Sequence, residues 1–187
     1  MDLENILDRI CPLPEASKDS IRQIASEVKH PAGHLLLRAG KVEPVMYFIK
    51  KGIARAFSVH DQKEITFWFG SEGDPVISMK SYVDGGKGYE NVCLLENAEL
   101  YQLKTKELQS LFNTNVHIAN WGRRFAESEL IKTEERFISR QFNSASERYA
   151  LLMKDQPDLL QRVQLGYIAS YLGITQVSLS RIRAAHK

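Results

Sequence analysis

The chain has 187 residues, 43% hydrophobic and 26% charged, with a formal net charge of +2. This composition excludes a disordered or collagen-like polymer, and the length favours one domain or a pair. No run approaches the roughly twenty apolar residues of a membrane-spanning helix, and Met1-Asp2-Leu3-Glu4 lacks an apolar signal core, so a cytoplasmic location with no membrane partner is expected.

Ser17 to Val28 reads as a helix, with Ile21, Ile24, Ala25 and Val28 on one face, ended by Pro31-Ala32-Gly33. Eight of the eleven glycines then fall between Gly33 and Gly88. Short β-rich runs lie among and after them, at 34–38, 45–50, 53–59, 64–69, 91–95 and 99–103. Short strands separated by Gly-containing turns predict an antiparallel sandwich or barrel. Lys51-Gly52 reads as a hairpin turn, flanked by the alternating pattern of half-buried strands (Tyr47, Ile49; Ile53, Arg55, Phe57).

From Asn115 to Phe142 the pattern is one long helix with apolar residues on two faces. Ile118, Trp121 and Phe125 share one; Ala126, Leu130, Ile131, Phe137 and Ile138 spread over another. A helix apolar on two sides must be covered on both: one side could lie on the β-domain, and the other predicts a partner, most simply the same helix of a second chain. Ile118, Trp121, Phe125 and Leu130 are the candidate dimer contacts. Ser144-Ala-Ser-Glu147 then matches a capping box and starts a new helix, which stops before Pro157.

Residues 144–187 carry six basic and three acidic side chains, so the excess positive charge sits in the last quarter of the chain. That segment holds Leu165-Gly-Tyr-Ile-Ala-Ser-Tyr-Leu-Gly-Ile-Thr-Gln-Val-Ser-Leu-Ser-Arg-Ile-Arg183. A short helix ends at Gly173, suited to a left-handed cap, and Thr175 is a good N-cap for the next. Leu179 and Ile182 point to one side of that second helix; Gln176, Val177, Ser180, Arg181 and Ala184 occupy the other. Helix, glycine turn and helix with a polar, basic outer face is the helix-turn-helix pattern. In a major groove Arg181 could contact guanine and Gln176 adenine. Thr175, Ser178, Ser180 and Arg183 suit phosphate contacts.

On these residues, and on Gly40…Tyr47-Phe48-Ile49-Lys-Lys-Gly52 and Gly70-Ser-Glu-Gly73-Asp74, the sequence resembles the Crp/Fnr superfamily of transcription regulators over nearly its full length. The resemblance implies an α+β fold: a jelly-roll sensor of the cyclic-nucleotide-binding type (1–112), a dimerisation helix (113–143) and a helix-turn-helix domain (144–187). The chain stops at Lys187, so a complete wing is not expected. The family's base-reading positions fall on Gln176, Val177 and Arg181. Val177 stands where an acid is common and would meet a thymine methyl instead, so the preferred site should differ.

Relatives that bind cyclic AMP use a Gly-Glu pair for the ribose and an Arg-Ser pair for the phosphate. Here those positions fall near Ser78-Met79 and Gly88-Tyr89, and no arginine lies between Arg55 and Arg123. Binding of cyclic AMP in the usual way is therefore not expected. The candidate effector pocket comprises Ser78, Met79, Lys80, Tyr82, Gly88 and Tyr89, with Lys80 or Lys87 as substitute charges. The pocket either takes another ligand or is filled by Met79, Tyr82 and Tyr89.

Catalysis is not expected. Cys11 and Cys93 form neither a metal nor a redox pair and are too few for an iron–sulfur cluster. His30 and His34 are separated by Pro31 and Gly33, which break any helix that would align them, and no Gly-x-Ser-x-Gly nucleophile motif occurs. The expected partners are double-stranded DNA and a second copy, with a small-molecule effector and RNA polymerase as further candidates. The alternative is a ligand-sensing or protein-interaction protein whose DNA-binding domain has lost function.

Overall fold

The computed structural model, which describes residues 1–186, begins with two short helices. α1 (Leu3–Ile10) starts at Asp2, whose carboxylate accepts from the Asn5 amide, and it buries Leu3, Ile6 and Leu7. α2 (Glu15–Ile24) buries Ile21. It is shorter than the periodicity predicts, because Ala25 and Val28 belong to strand β1 (Ala25–His30). The apolar spacing suits either conformation. Antiparallel pairing with β8 (Ala98–Lys104), from Ala25 opposite Leu103 to His30 opposite Ala98, decides for the strand.

The remaining strands are β2 (Leu35–Leu37), β3 (Val45–Lys51), β4 (Ala54–His60), β5 (Lys63–Gly70), β6 (Pro75–Val76) and β7 (Asn91–Leu94). They form two four-stranded sheets, ordered β1-β8-β3-β6 and β2-β7-β4-β5. Lys51-Gly52 does not form the expected hairpin turn. β3 and β4 lie in different sheets, so this step is a corner between sheets and not a hairpin turn. Gly52 has φ +121°, and a Cβ there would stand 2.7 Å from the Ala98 side chain, so only glycine fits the corner. A true hairpin follows between β4 and β5, where Asp61 and Gln62 both take positive φ, as a two-residue turn requires.

The half-buried reading of the central strands is also corrected. Met46 to Ile49 and Ile53 to Phe57 are buried without alternation. A strand covered on both faces loses the period-two signature. On β3 the second cover is helical: α1, α2, α4 (Thr105–Thr114) and the first half of α5 (Val116–Phe142) share one core with Met46, Phe48, Tyr101 and Leu103.

Trp121 anchors that core. Its indole N–H donates to the Leu7 carbonyl at 3.0 Å, and its ring stacks on Phe125 at 5.7 Å between centroids. Ile118 and Trp121 are 0% and 1% exposed, and Phe125 packs against them. Ile118 and Trp121 are therefore not available as dimer contacts, since the chain's own amino-terminal helices and sheet cover them, while Phe125 is half-buried. The other face of α5 is different. Leu130, Ile131, Phe137, Ile138 and Phe142 are all exposed.

After α5 come α6 (Ala145–Asp155), α7 (Leu159–Arg162), α8 (Leu165–Leu172) and α9 (Gln176–Ala185). Ser144 and Glu147 make the reciprocal capping box that starts α6. The chain divides into two compact units: Met1–Ala56 with Phe69–Glu129, and Phe57–Trp68 with the residues from Leu130 onward. The distal part of the β4–β5 hairpin thus belongs with the carboxyl-terminal helices.

Candidate functional site

In the second unit, α8 and α9 are joined by Gly173-Ile174-Thr175. Gly173 is left-handed (φ 68°), and its N–H and that of Ile174 close the end of α8 on Ser170 and Ala169. The Thr175 hydroxyl accepts from the Ser178 amide at 3.1 Å, so the N-cap is in place. Leu179 is fully buried, together with Ile168, Ala169 and Leu172 of α8. The opposite face presents Gln176, Val177, Ser180 and Arg181 to solvent, while Ser178 and Arg183 are half-buried. The Gln176 amide lies over Gly166, where a Cβ would approach it to 2.9 Å.

Two residues that sequence reasoning did not single out hold these helices in place. Arg148 donates to the carbonyls of Asn143 and, at 2.7 Å, of Leu172, so one guanidinium ties the end of α5 to the end of α8. Ser170 makes two hydrogen bonds to β5, accepting from the Thr66 amide and donating to the Glu64 carbonyl. Burial raises the Tyr171 phenol above its ordinary range, and Arg136 and Arg140 oppose that shift. Nothing in the local sequence marks these roles, because each depends on a contact with a distant segment.

In the first unit, the expected effector residues separate. Ser78 and Gly88 are buried and Tyr82 is half-buried, whereas Met79 and Tyr89 are 51% and 69% exposed. Met79 and Tyr89 therefore do not fill the roll. Met79 opens helix α3 (Met79–Asp84), which turns its side chain outward, and Lys80 is exposed and paired with Asp84 at 3.2 Å. Arg55 is buried inside the roll and has its own interactions.

Glu90 is the residue the sequence reading passed over. It is 7% exposed, and one carboxylate oxygen accepts from the Tyr89 amide at 3.0 Å. Its other oxygen, Oε1, and the hydroxyl of Ser78 are buried without a hydrogen-bond partner. Gly88 lies against both: a Cβ there would stand 2.6 Å from Ser78 Oγ and 3.0 Å from Glu90 Oε1. The Gly88 backbone is fixed on both sides, its N–H donating to the Lys41 carbonyl and its carbonyl accepting from Gly40. Ser81 holds the same loop by accepting from the Glu43 amide and donating to the Gly86 carbonyl.

A separate recess of about 380 Å³, lined by Asp2, Leu3, Glu4, Arg22, Ala25, Glu27 and Tyr101, contains none of these side chains. His30 and His34 stack ring on ring at 4.0 Å, but no group of three or more metal-ligating side chains exists among the described residues. Both cysteines are half-buried and neither is in a disulfide. No helix among the described residues is long and apolar enough to cross a membrane.

Comparison with known proteins places these features in a family context. Residues 27–115 match the family model of the cyclic nucleotide-binding domain. No curated protein sequence matches the chain. Among solved structures, the catabolite activator protein of Thermus thermophilus is 20% identical, with 96% of this chain and 85% of that one covered and a TM-score of 0.61. FixK2 from Bradyrhizobium japonicum is 17% identical over 87% and 84%, with a TM-score of 0.72. The c-di-GMP-responsive global regulator CLP of Xanthomonas campestris is 15% identical over 90% and 89%, with a TM-score of 0.67. Residues 27–115 are thus similar to the cyclic nucleotide-binding domain, and the chain shares the fold of these solved regulator structures.

Proposed function

We propose that the protein is a transcription regulator that binds double-stranded DNA as a homodimer. The observation that carries this reading is the α8–α9 pair. A left-handed glycine cap and a threonine N-cap fix its turn, Leu179 is buried beneath it, and Gln176, Val177, Ser180 and Arg181 face outward. An exposed helix with that face suits a major groove. Arg181 and Gln176 would contact base edges, Val177 a thymine methyl, and Thr175, Ser178, Ser180 and Arg183 the phosphates. The dimer would form through the exposed part of α5, around Leu130 and Phe137, and set two α9 helices roughly 34 Å apart. The shared fold with proteins described as a catabolite activator and a global regulator supports the reading.

The test is selection of binding sites from random duplexes with the purified protein, followed by titration of the enriched site. A two-fold symmetric motif is expected. Arg181→Ala should relax preference at one base pair per half-site and cost about 1–3 kcal/mol there. Recovery of no symmetric motif, with binding indifferent to salt, would overturn the reading.

A further inference from the structure

We infer that Gly166 is a positioning residue for base recognition: having no side chain, it lets the Gln176 amide lie across the start of α8 and thereby sets which base that glutamine prefers. The inference rests on the reading of α8 and α9 as the DNA reader proposed above. Three observations carry it.

First, the two residues meet. Gln176 opens α9, and helical side chains lean toward the amino-terminal end of their helix. Its Nε2 lies 2.9 Å, and its Cδ 3.8 Å, from the point where a Cβ on Gly166 would stand. Apart from the adjoining backbone of α8, no other atom of the described residues lies within 4 Å of that point. A side chain at position 166 would therefore press on Gln176 and not on Val177, Ser180 or Arg181.

Second, the backbone does not ask for glycine. Gly166 is the second residue of α8, and its φ is not in the left-handed region. Glycine is a poor helix former, so alanine would suit α8 better. What the missing side chain provides is room for the glutamine.

Third, the glutamine side chain is the part that can give way. The turn before it is tied down: the N–H groups of Gly173 and Ile174 bond back to Ser170 and Ala169, and the Thr175 hydroxyl accepts from the Ser178 amide. Leu179 is fully buried one turn later. The Gln176 side chain itself is exposed. A methyl group at position 166 would thus leave both helices in place and displace only the amide. Few χ1 wells are open to a helical residue, so closing one changes where the amide presents its donor and acceptor. A bidentate contact to adenine needs both in place together.

The experiment selects sites from random duplexes with the full-length wild type, Gly166→Ala, Gln176→Ala and the double variant, and follows thermal unfolding of each. In Gly166→Ala, preference at one position per half-site should fall by about tenfold, at the same position as in Gln176→Ala, while the position read by Arg181 keeps its preference. The double variant should match Gln176→Ala, because the glycine acts only through the glutamine. The unfolding midpoint of Gly166→Ala should be no lower than that of the wild type, as helix propensity requires. Without DNA, a nuclear Overhauser contact between the Gln176 side-chain amide and the Gly166 α protons is expected in the wild type. An unchanged motif in Gly166→Ala, a lowered midpoint with loss spread over every position, a further loss in the double variant, or absence of the Overhauser contact would each overturn the inference. A wild type that selects no symmetric motif rejects the regulator reading, and this inference falls with it. A symmetric wild-type motif that Gly166→Ala leaves intact rejects the role of Gly166 alone.

Discussion

Ser170 and Thr66 are joined by a hydrogen bond in which the Thr66 backbone amide donates to the Ser170 hydroxyl at 3.0 Å. The same hydroxyl donates to the Glu64 carbonyl at 3.1 Å, so one side chain on α8 serves two backbone groups of β5. β5 is the last strand of its sheet, and a terminal strand exposes backbone groups that need partners. The serine supplies them as a neighbouring strand would.

Removing that hydroxyl strands a backbone donor. Thr66 is fully buried, so Ser170→Ala should cost about 1–3 kcal/mol and speed hydrogen exchange at the Thr66 amide more than at amides of β3. Exchange measured by NMR reads this directly. Unchanged protection at Thr66 would refute the role given to Ser170.

Arg148 has a comparable task at the other end of α8. Its guanidinium reaches the carbonyls of Asn143 and Leu172, which are carbonyls at two helix ends. Arg148→Met keeps the apolar stem and deletes the donors. The expected loss is about 1.5–3 kcal/mol in urea unfolding, as for hydrogen bonds to a charged group. A loss below about 0.5 kcal/mol would mean that water replaces the arginine.

The exposed face of α5 gives a prediction about assembly. Leu130 and Phe137 are 69% and 68% exposed, so replacing both with serine removes little from the folded chain. Sedimentation should show the double variant shifted toward monomer with an unchanged circular dichroism spectrum. In contrast, Trp121→Ser should unfold the first unit, because its ring and its bond to Leu7 lie in that core.

The capping box of α6 predicts a dependence on pH. Hydrogen bonds from Ser144, first its backbone amide and then its hydroxyl, hold the Glu147 carboxyl below its ordinary value of 4.5. A group lowered in the folded state adds stability that is complete above the unfolded value and lost as pH falls through the folded one. Stability of the second unit should therefore decline on acidification below about pH 4.5. Glu147→Gln should flatten that limb of the melting profile and leave the neutral-pH side with a smaller, pH-independent loss.

Local signals were legible in the sequence wherever one segment settles its own conformation. The capping box at Ser144, the left-handed cap at Gly173, the N-cap at Thr175 and the split faces of α5 and α9 all depend on residues within a turn or two, and all have their structural counterparts. The glycine-punctuated strands were legible for the same reason. What pairs with what was not. β1 looks helical until β8 lies beside it, and Lys51-Gly52 looks like a hairpin until its strands join different sheets. The first α5 face looked like an interface, yet Ile118 and Trp121 are covered by α1 and β3 from the same chain. Apolar spacing reports that a face must be buried and carries no information on which surface buries it. Glu90 is the limiting case. In the sequence it is an ordinary acid before a strand. Only the fold encloses it beside Ser78 and Gly88, where burial removes water and leaves a carboxylate oxygen in need of a donor.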